Sequence, residues 1–297
     1  MGDLNDILHD LEHSLGFLGG EPVPLEGGIT NRNFKVSFGG SDYVVRLHGK
    51  DTDLLGISRE AERVANTAAA GLGIAPAVVA SFEGGLVTRY ISCASMEAPE
   101  IAARAEEIGR ALRRFHDSAV ELPVSFSVPD LLEEYGRLIA ERGGRPSADY
   151  EHARELATQI VAAAPARTQR PCHNDLLAGN LVRERPSDRV MIVDWEYAGM
   201  GDPGFDLGNL SVNNDFDEAA EERLLAAYHD CTPSPPQRAR LKLMRLLSDI
   251  REAAWGAMQA RVSDLDFDFE GYGERHFARL REALAGPELA GWLAAVS

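Results

Sequence analysis

The sequence predicts an α+β fold of two lobes: an N-terminal antiparallel sheet with a helix over residues 1–92, and a larger, mostly helical lobe over 93–297. Three observations lead there. Short apolar runs separated by glycine pairs crowd the first third of the chain, helical periodicity takes over after Ala98, and one strand pair interrupts it around residues 181–194. Strands gathered at one end and helices at the other make an α+β layout rather than an alternating one.

Taken in order, Leu4, Ile7, Leu8, Leu11 and Leu15 recur at helical spacing until Gly19-Gly20 stops the segment. Strands follow over Pro22–Leu25, Asn33–Phe38 and Asp42–Leu47, with Gly27-Gly28 and Gly39-Gly40 as the turns. An Ala-rich helix runs from about Ser58 to Ala70 and ends at Gly71 and Gly73. Pro76 opens two more strands, Val78–Phe82 and Leu86–Ile91, joined through Gly84-Gly85. The lobe boundary is expected near Cys93. The late strand pair turns at Arg185-Pro186-Ser187-Asp188, and there is no internal repeat, low-complexity tract or long linker.

Composition narrows the function classes. The formal charge of −17, from 47 acidic against 30 basic residues, argues against nucleic acid or an anionic membrane surface as partner and is compatible with a cationic small substrate. Hydrophobic content of 44% and charged content of 26% are ordinary for a globular protein. Cys93, Cys172 and Cys231 have no metal-type spacing, and one would stay unpaired, which points to a reducing compartment. The first residues carry Asp3, Asp6, His9 and Asp10 instead of a signal-peptide pattern, and no apolar run reaches the roughly 20 residues that cross a bilayer. The expectation is a cytoplasmic protein without membrane insertion.

The chemistry is concentrated in Cys172-His173-Asn174-Asp175-Leu176-Leu177-Ala178-Gly179-Asn180, followed by Val190-Met191-Ile192-Val193-Asp194-Trp195. An Asp with a His two residues before it and an Asn five residues after it has the spacing of a kinase catalytic loop. In that arrangement Asp175 takes the proton of an attacking hydroxyl and Asn180 ligates magnesium. Asp194 arrives at the end of an apolar strand, the place of the second metal ligand. Two carboxylates and an amide suit a hard cation, Mg2+, that bridges the phosphate oxygens of ATP.

In the first lobe, Gly27-Gly28-Ile29-Thr30-Asn31-Arg32-Asn33 sits between two predicted strands. Glycines such as Gly28 would let backbone N–H groups approach phosphates, with Thr30 and Asn31 as further donors, although taken by itself the segment reads as an ordinary hairpin turn. The loop lacks the terminal Gly-Lys-Ser/Thr of a Walker A motif. Arg46 faces opposite to Val45 and Leu47, where kinases keep a basic residue for the α- and β-phosphates. Glu62 on the next helix fits the carboxylate that orients it, with Glu60 as competitor.

Gly27 to Phe34, His173-Asn174-Asp175, and Asp194-Trp195-Glu196-Tyr197-Ala198-Gly199-Met200-Gly201-Asp202-Pro203 together resemble the choline/ethanolamine kinase family. That family is a branch of the aminoglycoside phosphotransferase-like, protein-kinase-related fold, and the resemblance spans about residues 20–280. Asn174 points to the choline kinase branch, since antibiotic kinases usually carry Gly there. Phe205-Asp206-Leu207-Gly208-Asn209 and Leu265-Asp266-Phe267-Asp268-Phe269 are similar to bacterial members. The resemblance implies a two-lobed protein-kinase-like fold, ATP and Mg2+ as cofactors, and phosphorylation of a primary alcohol on a small amine. It implies Asp175 as base, Asn180 and Asp194 as metal ligands, and Arg46 as phosphate clamp. The backbone around Tyr90 and Ile91 would hold adenine at the lobe hinge. Eukaryotic choline kinases have Gln two residues after the catalytic Asp, where this chain has Leu177, so contacts made by that Gln do not carry over.

Other residues are set aside. His173 is read as a brace of the loop rather than a base, His116 as a packed or surface imidazole, and Asp206 as a residue that orients the catalytic loop. Asp264, Asp266 and Asp268 imitate a calcium loop, but Phe269 and Arg275 stand where Gly and Glu are required. The expected reaction is transfer of the γ-phosphoryl of ATP to a small cationic alcohol, choline first. Ethanolamine, thiamine and aminoglycosides are alternatives within the class. A nucleotide-binding pseudokinase or regulatory module is the alternative outside it, opposed by the intact Asp175, Asn180 and Asp194. A quaternary ammonium donates no hydrogen bond, so its site needs aromatic faces, for which Trp255, Tyr197 and Trp195 are the candidates.

Overall fold

A computed structural model describes residues 4–25, 31–49 and 56–296; the turn that carries Gly28 and Thr30 lies outside the described residues. The chain packs as two compact units, Met1–Met96 with Gly179–Tyr197, and Glu97–Ala178 with Ala198–Ser297.

The first unit opens with α1 (Leu4–Leu15), followed by β1 (Val23–Leu25), β2 (Arg32–Phe38), β3 (Ser41–Leu47), α2 (Arg59–Gly71), β4 (Val78–Phe82) and β5 (Gly85–Arg89). The strands form an antiparallel sheet in the order β1-β2-β3-β5-β4. Alternation along β2 and β3 sends Phe34, Val36, Phe38, Tyr43, Val45 and Leu47 to one face, where they bury against Leu8 and Leu11 of α1. The Gly39-Gly40 hairpin needs positive φ at both positions, observed at 56° and 79°, which glycine adopts without a Cβ clash. Ser58 caps α2 by accepting a hydrogen bond from the Ala61 amide, which fixes where Glu62 enters the first turn.

The sequence suggested a single cut near Cys93, whereas residues 179–197 pack with the first unit. The reason is a strand too short to read from periodicity. Cys93–Ser95 is β6, and it pairs antiparallel with β8 (Leu181–Glu184), which pairs in turn with β9 (Val190–Ile192).

The second unit is helical: α3 (Ala98–Ala103), α4 (Ala105–His116), α5 (Val128–Glu141), α6 (Ala148–Ala163), α7 (Pro203–Asn213), α8 (Glu218–His229), α9 (Pro235–Val262), α10 (Phe269–Leu284) and α11 (Glu288–Val296). Its strands, β7 (Arg170–Cys172) and β10 (Gly199–Gly201), pair antiparallel, and β7 leads directly into His173-Asn174-Asp175. Helices α9 and α10 cross so closely that a Cβ on Gly256 would come within 2.7 Å of the Gly273 backbone. That approach brings the neighbours of these glycines, Trp255 and Tyr272, ring to ring. Among the described residues no helix is long and apolar enough to cross a membrane.

Candidate active site

The residues singled out by sequence fall into two sets, one in each unit. In the first unit, β3 turns Val45 and Leu47 into the core and leaves Arg46 on the opposite face. One guanidinium nitrogen, Nη1, donates to Glu62 Oε1 at 3.0 Å and to Asp194 Oδ1 at 2.7 Å, while Nε donates to Asn33 Oδ1 at 3.3 Å across the β2–β3 ladder. Glu62 is 1% exposed and is the partner that the sequence left open against Glu60, which is exposed. Burial opposes the charge of Arg46, but Asp194, Glu62 and Glu196 outweigh it and raise its pKa.

Two members of this network were missed. Arg59 Nη1 donates to Glu62 Oε2 at 2.8 Å and to Glu196 Oε2 at 3.2 Å. Glu196 also accepts from Asn31 Nδ2 at 2.8 Å. Their signal lay in spacing: Arg59 is three residues before Glu62 on a helix, and Glu196 is two after Asp194. His48 lies 3.4 Å from Glu62, but burial and the charges of Arg59 and Arg46 lower its pKa to about 4, so the imidazole is neutral at pH 7 and the contact is not an ion pair.

Asn180 and Asp194 are tied through the backbone. The Val193 amide donates to the Asn180 carbonyl at 2.9 Å, immediately before Asp194 at the strand end. Asp194 has φ 64°, a left-handed conformation that Asp tolerates better than most residues. Tyr90 and Ile91 follow β5; the Tyr90 amide is engaged by the Asp42 carbonyl at 3.0 Å, and Lys35 sits 4.3 Å over the Tyr90 ring.

In the second unit, α7 organises the catalytic loop peptide by peptide. Asp206 accepts from the His173 amide at 2.8 Å and the Asn174 amide at 2.7 Å. One helical turn on, Asn209 accepts from the Leu176 amide at 2.5 Å, and Asn214 donates to the Leu176 carbonyl at 3.0 Å. His173 Nδ1 lies 3.2 Å from the Asp175 amide, the bracing role expected of it. His116 is fully buried and is more than a packed imidazole: Nε2 meets Asp206 Oδ2 at 2.9 Å and Nδ1 meets the Tyr228 hydroxyl at 2.8 Å. Burial works to raise the pKa of Asp206, yet His116, His173 and the backbone amides hold it below the ordinary carboxylate value. Asn174 sits at φ 67°, the left-handed region, where Asn is among the favoured non-glycine residues.

Beyond the loop, α9 and α10 supply groups that the sequence reading did not name. Arg251, 2% exposed, donates through Nη1 to Asp175 Oδ1 at 3.2 Å and to Glu252 Oε1 at 2.7 Å. The Tyr272 hydroxyl donates to Glu252 Oε2 at 2.7 Å. Trp255 packs edge to face on Tyr272 at 5.5 Å and on Phe269 at 5.6 Å, and Phe267 lies 6.1 Å from Tyr272. Burial tends to raise Glu252, but Arg251, His276 and the Tyr272 hydroxyl bring its pKa down. Burial and Glu252 together raise the Tyr272 phenol, which stays protonated.

Trp195 requires a correction. It is fully buried, and its Nε1–H donates to the Ile192 carbonyl at 3.1 Å, so its ring is core and offers no face to a ligand. Strand-end position said nothing about which side of the chain would be covered. Tyr197, 8% exposed, belongs to the first unit, and Trp255, 7% exposed, to the second, where Tyr272 is its aromatic partner.

The phosphotransferase enzyme family matches residues 21–244 of the chain. A choline/ethanolamine kinase family protein from Mesorhizobium loti has a similar solved structure, with TM-score 0.82 at 30% identity over 98% of each chain. The choline kinase LicA from Streptococcus pneumoniae is similar at TM-score 0.79 and 26% identity, covering 95% of this chain and 99% of that one. A probable ethanolamine kinase of Arabidopsis thaliana is 25% identical over 318 residues, 91% of this chain and 78% of the other.

Proposed function

Since the chain belongs to the phosphotransferase enzyme family, in its choline/ethanolamine kinase branch, we propose that it transfers the γ-phosphoryl of ATP to the hydroxyl of a small cationic alcohol, and that the acceptor is choline. The observation that carries the choice of acceptor is the state of Glu252. Both of its oxygens are engaged, one by Arg251 and one by Tyr272. What it offers is diffuse negative charge beside the rings of Tyr272 and Trp255. A quaternary ammonium needs only that, whereas a primary ammonium asks for directed acceptors. The group of Asp175, Glu252 and Arg251 carries two carboxylates to one guanidinium, so a buried monovalent cation complements it.

On the nucleotide side, Asp194 and Asn180 supply hard oxygen donors, and a cationic group, Arg46, already lies against Asp194. This donor set fits Mg2+, held by Asn180 and Asp194. A Mg2+ held there would supply positive charge against the phosphates of the nucleotide. Arg46, kept in place by Glu62 and Asn33, clamps the phosphates, and the Ile91 amide, rather than that of Tyr90, meets adenine. Asp175 accepts the hydroxyl proton as the acceptor oxygen attacks, and the amides pinned by Asp206 and Asn209 keep its carboxylate in place. Positioning and charge neutralisation of this kind supply most of the catalysis of phosphoryl transfer.

A coupled ADP-release assay over choline, ethanolamine, thiamine and aminoglycosides tests the proposal. Choline should exceed ethanolamine in kcat/KM by about tenfold or more, since contacts with two rings contribute about 1–2 kcal/mol. Preference for ethanolamine or an aminoglycoside would overturn the choice of choline.

A further inference from the structure

The Arg251 side chain has no place in the kinase motif, yet it is among the largest fully enclosed side chains in the protein. A lone buried guanidinium is costly to desolvate, and it persists where carboxylates hold it on fixed geometry. Here a single nitrogen bridges Asp175, at 3.2 Å, and Glu252, at 2.7 Å. The far oxygen of Glu252 is fixed by Tyr272, whose ring packs on Trp255. An unbroken line of contacts thus runs from the carboxylate that receives the hydroxyl proton to the aromatic and anionic groups suited to an ammonium.

Resting on the proposed amino-alcohol kinase activity, we infer that Arg251 is a positioning residue that sets the distance between the base and the cation subsite, and so selects acceptors with two carbons between nitrogen and hydroxyl. A longer acceptor with its ammonium against Trp255 and Tyr272 carries its oxygen past Asp175. The bridge does not let Asp175 and Glu252 move apart independently to accommodate it. Displacement of a reacting group by about 1 Å can cost about a hundredfold in rate, which is ample for such selection.

The test compares choline with its three-carbon homologue, 3-hydroxypropyl-trimethylammonium. The wild type should favour choline in kcat/KM by about tenfold or more, with the difference mainly in kcat. Arg251→Lys retains a buried positive charge but, as a point charge without the planar fork, holds two carboxylates less rigidly. It should lower kcat for choline about tenfold, leave KM for ATP unchanged, and shrink the two-carbon preference at least threefold. Arg251→Met should lose about tenfold more kcat than the lysine variant. A merely structural ion pair predicts lower melting temperatures with kcat and the preference intact in the folded fraction. That result in Arg251→Lys overturns the inference. If neither variant folds, the wild type alone decides, because equal kcat/KM for the two homologues overturns it. A wild type inactive on every amino alcohol sinks the proposed function instead, and the two failures are thereby distinct.

Discussion

Arg46 stands nearer to Asp194, at 2.7 Å, than to Glu62, at 3.0 Å, and meets both through the same nitrogen. The guanidinium neutralises a carboxylate that would otherwise sit half-buried beside Glu62 and Glu196, and on the proposed function it is the cationic group that would meet phosphate. Removal of one partner from such a buried network costs about 3–5 kcal/mol, so the network is structural whatever else it does.

Arg46→Met should reduce kcat/KM for ATP by about a hundredfold, the scale of losing one charged group that stabilises developing phosphate charge. Direct calorimetry should show Mg2+ binding to the nucleotide-free enzyme tightened, because Asp194 loses its competing counter-ion. A decrease of less than threefold in kcat/KM would remove Arg46 from the phosphate site.

Asp175→Asn should reduce turnover by about 10²-fold or more, in line with general-base contributions, with KM for ATP preserved. Steady-state kinetics on the folded variant give the answer, and near-wild-type turnover would dismiss Asp175 as base.

Asp206→Ala strands the amides of His173 and Asn174 together with His116, and should destabilise the protein by about 3 kcal/mol or more. A pH effect follows as well. The folded pKa of Asp206 is depressed, so the unfolded state binds the proton first. The stability it contributes is complete above the unfolded value of about 3.9 and is lost as pH falls below it. Denaturant titrations from pH 5 to pH 2 should show a shallower decline in the variant, and identical slopes would count against the assignment.

His48 should produce a separate window. Its pKa falls from 6.5 to about 4 on folding, so the unfolded state takes up the proton first on acidification. Stability is complete above the unfolded value and declines as pH drops through this interval, by about 1–2 kcal/mol once partial exposure is allowed for. His48→Gln should flatten that part of the profile while leaving the region below it unchanged.

Trp255→Leu should raise KM for choline about three- to thirtyfold while KM for ATP stays put. Because the ring is also buried between Phe269 and Tyr272, melting temperature should fall too, and kinetics must be read on the folded fraction. An unchanged KM for choline would take Trp255 out of the acceptor site.

Much of the architecture was legible in the sequence because it rests on short-range signals. Period-two alternation marked β2 and β3, the Gly39-Gly40 pair marked the turn between them, and composition and helical periodicity marked α2 and α9. Strands β6, β7 and β10, at three residues each, were invisible because Cys93-Ala94-Ser95, Arg170-Pro171-Cys172 and Gly199-Met200-Gly201 have neither the apolar run nor the flanking turn that marked β9 and β1. The segment from His173 to Asn180 stood out because the spacing of its His, Asp and Asn is a chemical pattern rather than a periodic one. Arg251, Glu252 and Tyr272 escaped because nothing local distinguishes a buried Arg-Glu pair on a helix from a solvated one. Only the packing of α9 against α7 and α10 sets Arg251 beside Asp175 and Tyr272 beside Glu252. Trp195 and Trp255 show the same limit: residue type gave their size and apolar character but not which face of each ring is covered.

The pairing of β6 with β8 has a consequence for biosynthesis. Synthesis of β6 precedes that of its partner, Leu181–Glu184, by more than eighty residues of chain. At ordinary elongation rates that interval lasts several seconds, during which an unpaired strand edge is open to wrong partners. Asn180 and Asp194 arrive only with the same late strip of chain. A fragment ending at residue 96 should therefore aggregate rather than act as a portable nucleotide-binding module, and the growing chain should depend on chaperones most in the window before Ile192 is exposed.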